Sequence, residues 1–346
     1  MKFFTSNAWI SRMIRKLTVF HVVFLIIFCG FVVILSLYLS GSKPAALKKT
    51  QTNDTSQCPS YITLIRENDA TLTHPLLLAD VETESPNYLH LKVTLSKSIQ
   101  KYVMKGSVQS ASVYMRQLND ASWMSINGDQ TYLPGSLMKL PIMIYFLKEE
   151  ELHGGVLNKE LFYEKPHESF PEQAYRGDSI KPGRKYKISE LLRYMIEESD
   201  NNATHLLSKN IKADDFRRIF TDLDIPPDEL NDVKYQIVAK NYAKFLRILY
   251  NATFLEEKLS QYALNLLANC KFTDGIVRKL PPGITVARKF GERGIDNLMD
   301  FSEGGIVYKD GNPYILVVMT RGTNQKDQVE LISELSLEVF QSLKGI

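Results

Sequence analysis

The chain has 346 residues, 44 % of them apolar, with 42 basic and 39 acidic side chains and a formal net charge of +3. That length fits one or two domains with a full apolar core. A charge so nearly balanced argues against a nucleic-acid partner.

The first feature along the chain is an apolar run from Leu17 to Leu39 without Lys, Arg, Asp or Glu. It has the roughly 20 residues that cross a bilayer as a helix. A cleaved signal peptide, with an apolar core of about 7–15 residues and a small-residue cleavage site, fits less well. Lys2, Arg12, Arg15 and Lys16 precede the run and no acid does. The expectation is therefore a cytoplasmic tail over 1–16, a transmembrane helix over 17–39 and everything later outside the cytoplasm. Lys43, Lys48 and Lys49 on the far side weaken that bias slightly. Ser40 to Gln57 is polar and reads as a tether, and the linker is taken to extend over 40–87.

From residue 88 the pattern is regular. Leu89, Leu91, Val93, Leu95, Ile99, Tyr102 and Val103 suit a first helix. Val108–Leu118 alternates as a strand, and 121–133, with Asn127-Gly128 inside it, reads as a hairpin-like continuation. Helices are expected near 136–151 and 188–197, within a mostly helical middle over 140–275. Strands are expected at 284–289, 298–308 and 314–320, with Lys309-Asp310-Gly311-Asn312 turning between the last two. Val329, Leu331, Ile332, Leu335, Leu337, Val339 and Phe340 make 328–343 a closing amphipathic helix. Strands from both ends and helices from the middle imply one sheet flanked by helices, plus a helical insertion.

Cys29 lies inside the apolar run. Cys58 and Cys270 would stand in an oxidising compartment, where they either pair or remain two free thiols. The six histidines form no H-x-H or H-E-x-x-H pattern and the cysteines no zinc-like spacing, so neither a metal site nor a cofactor is expected.

Three short motifs carry the chemistry. Ser136-Leu137-Met138-Lys139 opens an apolar helix, with hydroxyl and amine one turn apart on one face. An amine there takes the hydroxyl proton if burial and neighbouring charge lower its pKa. Alone this motif is weak, since Ser40-Gly41-Ser42-Lys43 has the same form within the tether. Ser199-Asp200-Asn201 follows 63 residues after Ser136, and Lys289-Phe290-Gly291 at the end of an expected strand.

The order S-x-x-K, S-D-N, K-x-G resembles the signature of class A β-lactamases and penicillin-binding proteins. The flanking Leu140-Pro141, Asn202-Ala203 and Glu292-Arg293-Gly294 agree, and the resemblance covers 88–346. It implies an α/β (α+β) fold of the class A β-lactamase and D,D-peptidase type, with an antiparallel sheet flanked by helices and an all-helical subdomain. It implies Ser136 as the nucleophile that forms an acyl-enzyme and Lys139 as its proton acceptor. Ser199 resembles the hydroxyl that passes a proton to the departing nitrogen, and Lys289 the cation that binds the substrate carboxylate and polarises Ser199. Asn201, Gly291 and Glu292 fall at substrate-binding positions. Asn201 would hold a substrate carbonyl, and the backbone N–H groups of Ser136 and Glu292 would form the oxyanion hole. Asp200 resembles a structural residue.

Two departures stand out. Phe290 occupies the position of a Thr or Ser, which either removes a hydroxyl from carboxylate recognition or places a phenylalanine in the core. The deacylating Glu of class A enzymes would fall on Pro227, and Asp228 or Glu229 substitutes only in a rebuilt loop. Slow deacylation is then expected. The implied partner is a β-lactam or a peptidoglycan stem peptide. The implied function is β-lactam hydrolysis, with a penicillin-binding D,D-carboxypeptidase or transpeptidase, or a non-catalytic sensor domain, as alternatives.

Overall fold

The computed structural model describes residues 62–67, 75–166, 175, 177–227, 235–295 and 297–343. Leu17–Leu39, the tether, Cys58, Asp228 and Glu229 lie outside the described residues. Among the described residues no helix is long and apolar enough to cross a membrane.

The central sheet has five antiparallel strands in the order β4-β3-β9-β8-β7. They are β3 (Val108–Gln117), β4 (Trp123–Ile126), β7 (Thr285–Ile295), β8 (Leu298–Tyr308) and β9 (Tyr314–Gly322). The chain therefore builds one sheet from both of its ends, and only tight turns separate β7, β8 and β9.

β9 explains why the sheet needs helices on both faces. In Tyr314-Ile315-Leu316-Val317-Val318-Met319 every side chain is fully buried. Successive side chains of a strand point to opposite faces. Ile315, Val317 and Met319 join one core, and Tyr314, Leu316 and Val318 join another. The second core is closed by α1 (Leu89–Met104) and α8 (Gln325–Ser342), through Leu91, Leu95, Leu331, Leu335 and Val339. The first is closed by α2 (Lys139–His153), α3 (Ile188–Glu197), α4 (Asn201–Ser208), α5 (Ala213–Asp222), α6 (Ala239–Tyr250) and α7 (Glu257–Ala268).

Several elements differ from the sequence expectation. Residues 130–133 form no strand, and β4 pairs with β3 while Tyr132 bridges to Ile237. β7 continues six residues past Lys289, so the third motif sits within the strand and not at its end. Two small hairpins were not apparent from the pattern: β1 (Ile62–Arg66) with β2 (Leu76–Val81), and β5 (Glu160–Tyr163) with β6 (Arg184–Lys187). The first is tied down by a buried carboxylate. Asp80 Oδ1 accepts from Arg116 of β3 at 3.1 Å and Arg247 of α6 at 2.5 Å. Both guanidinium groups also donate to the Ala79 carbonyl. Cys270 is a buried free thiol.

Candidate active site

Ser136 lies in a 3₁₀ turn, Gly135–Met138, that runs directly into α2. Lys139 is the first residue of α2, so the helix's own geometry carries its side chain back towards the turn. The turn is seated on β7. A Cβ on Gly291 would fall 2.3 Å from the Pro134 carbonyl oxygen and 2.7 Å from the Leu137 nitrogen. Gly135 has φ of +51°, and a Cβ there would fall 2.4 Å from the Glu292 carbonyl oxygen. Only glycines allow this approach, which sets the Ser136 turn against the backbone of Gly291 and Glu292.

Ser199 and Asn201 come from the junction of α3 and α4. Asp200 caps α4, accepting from the Asn202 and Ala203 N–H groups, and also takes the Ile180 N–H and the Ser179 hydroxyl. Its carboxylate is spent on the loop itself. Ser199 is held in the left-handed region, at φ of +56°. This conformation costs free energy in a residue other than glycine and persists where the surroundings enforce it. It brings both the carbonyl and the hydroxyl of Ser199 to one lysine.

That lysine is Lys139. Its ammonium donates to Ser199 O at 2.6 Å, Ser199 Oγ at 3.0 Å and Asn201 Oδ1 at 2.8 Å. Three acceptors match the three N–H groups of an ammonium. Ser136 Oγ has no hydrogen bond among the described residues, so the lysine is turned from its own motif serine towards the second motif. Lys289, with 0 % exposure, donates to the same Ser199 hydroxyl at 3.0 Å and to its neighbour's carbonyl, Phe290 O, also at 3.0 Å. Its Nζ stands 4.0 Å above the Phe290 ring.

The electrostatics follow from this crowding. Burial holds Lys139 well below the usual lysine range, and the charge of Lys289 lowers it further; Asp200 and Glu292 oppose the shift. Burial likewise pushes Lys289 down to about 8, against the opposing pull of the nearby Glu303 and Glu292. A hydroxyl has two acceptor lone pairs and one hydrogen. With a lysine on each lone pair, the Ser199 hydrogen is left to point away from both. Asn201 offers its carbonyl oxygen to Lys139, which leaves its NH₂ group as a donor.

Phe290 is fully buried. Its ring lies 4.3 Å from Phe272 and 6.2 Å from Phe301, and Tyr175 meets it edge-on at 5.5 Å. The phenylalanine is part of the second core, which is the core alternative weighed for this position. The Glu292 side chain accepts from Gln325 of α8.

Ser136, Lys139, Ser199, Asn201, Lys289, Gly291 and Glu292 thus converge on one place. Asp228 and Glu229 fall outside the described residues, while Pro226 and Pro227 are described and offer no proton-transferring group. Among the described residues no group of His, Cys, Asp and Glu is arranged to hold a metal ion. Sequence reasoning missed Asp300 of β8 and Arg321 of β9. Asp300 Oδ2 accepts the Leu133 N–H at 2.8 Å, three residues before Ser136, and Arg321 grips both carboxylate oxygens at 2.6 Å. No local pattern marks either residue.

A family model described as the Beta-lactamase enzyme family matches residues 94–343. No curated protein matches the chain. Among solved structures the fold is similar to a variant of PBP-A, solved as an acyl-enzyme complex with penicillin G, at 20 % identity and a TM-score of 0.61 over 74 % of this chain and 98 % of that one. It is similar to the TLA-1 extended-spectrum beta-lactamase at 18 % identity and a TM-score of 0.62, over 72 % and 98 % of the two chains. A beta-lactamase from Chitinophaga pinensis DSM 2588 gives 16 % identity and a TM-score of 0.62, over 72 % and 100 %. At these identities the structural likeness is one of fold.

Proposed function

Because the chain belongs to the Beta-lactamase enzyme family, as a serine hydrolase acting on amide bonds, we propose that Ser136 forms an acyl-enzyme with a β-lactam or with a peptidoglycan peptide amide. The observation that carries this reading is the Ser199 hydroxyl, held at 3.0 Å by Lys139 and at 3.0 Å by Lys289 beside the Ser136 turn.

In this reading Lys139, in its neutral form, takes the Ser136 proton as Oγ attacks the amide carbon. The new bond is Oγ–C. Negative charge gathers on the carbonyl oxygen, where the backbone N–H groups of Ser136 and Glu292 receive it. The C–N bond then breaks. Ser199 delivers its hydrogen to the departing nitrogen and is reprotonated from Lys139, so the proton lost by Ser136 ends on the leaving group. Asn201 donates its NH₂ to a substrate carbonyl, and Gly291 lets the Ser136 turn sit close against β7.

Clearing the acyl-enzyme needs an activated water. Pro227, at the position of the deacylating Glu, has no proton to exchange. This favours slow deacylation, the behaviour of a penicillin-binding D,D-peptidase towards a β-lactam, and the PBP-A variant solved as an acyl-enzyme complex with penicillin G has a similar fold. The apolar run Leu17–Leu39 supports an anchored domain outside the cytoplasmic membrane, and that domain, read from the sequence as 88–346, also takes in the hairpin of β1 and β2, which Asp80 ties to β3 and α6.

The test is intact-mass spectrometry of the purified full chain with benzylpenicillin, with Ser136→Ala as control. A lasting adduct of one drug mass on the wild type alone is the expected result. A transient adduct with drug consumption would make the protein a working lactamase and remove the argument from Pro227. No adduct and no turnover would shift the reading to a non-catalytic binding domain.

A further inference from the structure

Side chains on β7 alternate between the two faces of the sheet, so Lys289, Gly291 and Arg293 share one face. The Ser136 turn sits over Gly291. Lys289 and Arg293 therefore flank the turn on opposite sides, about 13 Å apart along the strand at the usual rise per residue.

The two cations are in different states. Lys289 is fully buried; it donates to Ser199 Oγ and Phe290 O, and its Nζ lies 4.0 Å from the centre of the Phe290 ring. Arg293 is half-buried, and it has no hydrogen bond and no ion pair among the described residues. The cause lies in the sheet register. Arg293 of β7 is paired with Asp300 of β8, and Asp300 with Arg321 of β9. This is a row of arginine, aspartate and arginine on one face. The central carboxylate is consumed by the fork of Arg321 and by the Leu133 N–H. The row carries one positive charge in excess, and that charge is the Arg293 guanidinium.

Arg293 lines a cavity of about 320 Å³ together with Leu133, Asp300, Arg321, Gln109 and Gln236. Gln236 accepts from the Thr131 hydroxyl at 2.6 Å through Oε1, so its NH₂ is a donor. The cavity thus offers a guanidinium and a side-chain amide next to the loop that carries the nucleophile, and its one carboxylate is already neutralised. An arginine fork is matched to a carboxylate.

We infer that Arg293 and the cavity beside it form a subsite for a carboxylate on the acyl side of the scissile amide. The inference rests on the Ser136 acyl-enzyme reading. Ser199 and Lys289 lie on the side of the departing nitrogen, so the acyl portion of the substrate extends the other way along β7, towards Arg293. The substrate class is then a peptide-like amide with an anionic acyl half.

Benzylpenicillin and carbenicillin differ by one carboxylate on the acyl side chain and make the test. Second-order rates of adduct formation on the full chain are measured for both drugs, on the wild type, Arg293→Ala and Arg293→Lys. The wild type should favour carbenicillin, and Arg293→Ala should lower the carbenicillin-to-benzylpenicillin ratio about tenfold, the equivalent of one charge-assisted hydrogen bond. Arg293→Lys should keep part of the preference. The ratio is independent of how much of a variant is folded. An unchanged ratio in Arg293→Ala, or an equal slowing with both drugs, would overturn the subsite and leave Ser136 acylation standing. No adduct with either drug on the wild type would overturn both.

Discussion

Lys139 Nζ stands 3.0 Å from Ser199 Oγ and 2.6 Å from the Ser199 carbonyl oxygen. The first motif thereby reaches the second through its lysine, while its serine hydroxyl has no hydrogen bond among the described residues. In the proposed mechanism the proton path from Ser136 to the leaving group runs through that lysine, which is already bonded on the far side.

Lys139→Met should form the penicillin adduct about 10²–10⁴-fold more slowly, the usual contribution of a positioned proton-transfer group. Time-resolved intact mass of the full chain measures it. A rate within threefold of wild type would remove Lys139 from the path.

The pH dependence has a definite sign. In the proposed mechanism acylation requires neutral Lys139, and burial together with Lys289 lowers its pKa, so the rate should rise with pH through a midpoint well below 10.5. Lys289→Met removes the second cause, and the midpoint should move up. Stability has the same direction. Lys289 is pushed down to about 8 in the folded protein. The unfolded chain therefore binds more protons between about 8 and the ordinary lysine value, and folding stability should rise with pH across that window. Rate profiles of the two proteins, and urea unfolding at several pH values, check both.

Gly291→Ala should lift the Ser136 turn from β7, because the new Cβ would meet the Pro134 oxygen and the Leu137 nitrogen, both backbone atoms. A misplacement of about 1 Å at a reacting group costs on the order of a hundredfold in rate. Adduct kinetics should show that loss, with the circular dichroism spectrum unchanged.

Phe290→Ala should destabilise the domain by about 3–5 kcal/mol, the cost of truncating a buried phenylalanine. Phe290 is fully buried and packed on Phe272 and Phe301. Urea unfolding followed by circular dichroism tests this. A change below 1 kcal/mol would mean that the ring is not part of the core.

Asp80→Ala leaves the Arg116 and Arg247 guanidinium groups buried without their carboxylate. Breaking such a group costs about 3–5 kcal/mol. Hydrogen exchange should show β1 and β2 losing protection before β3, β8 and β9.

Much of this protein was legible in its sequence. The alternation in 108–118 and 314–320 announces strands because a strand's side-chain period is local, and the closing helix follows from its apolar stripe for the same reason. The three motifs were legible by order and spacing, since each is a short local turn or strand that carries its own chemistry. Tertiary structure alone decided the rest. Lys139 and Ser199 are 60 residues apart, and Leu133 and Asp300 are 167 apart. Whether Phe290 faces substrate or core depends on which rings β7 meets, and those lie on other elements. Arg293 is left with surplus charge only because the pairing of three strands gives Asp300 to Arg321. Local propensity specifies an element and its faces; which groups meet across elements is set by packing.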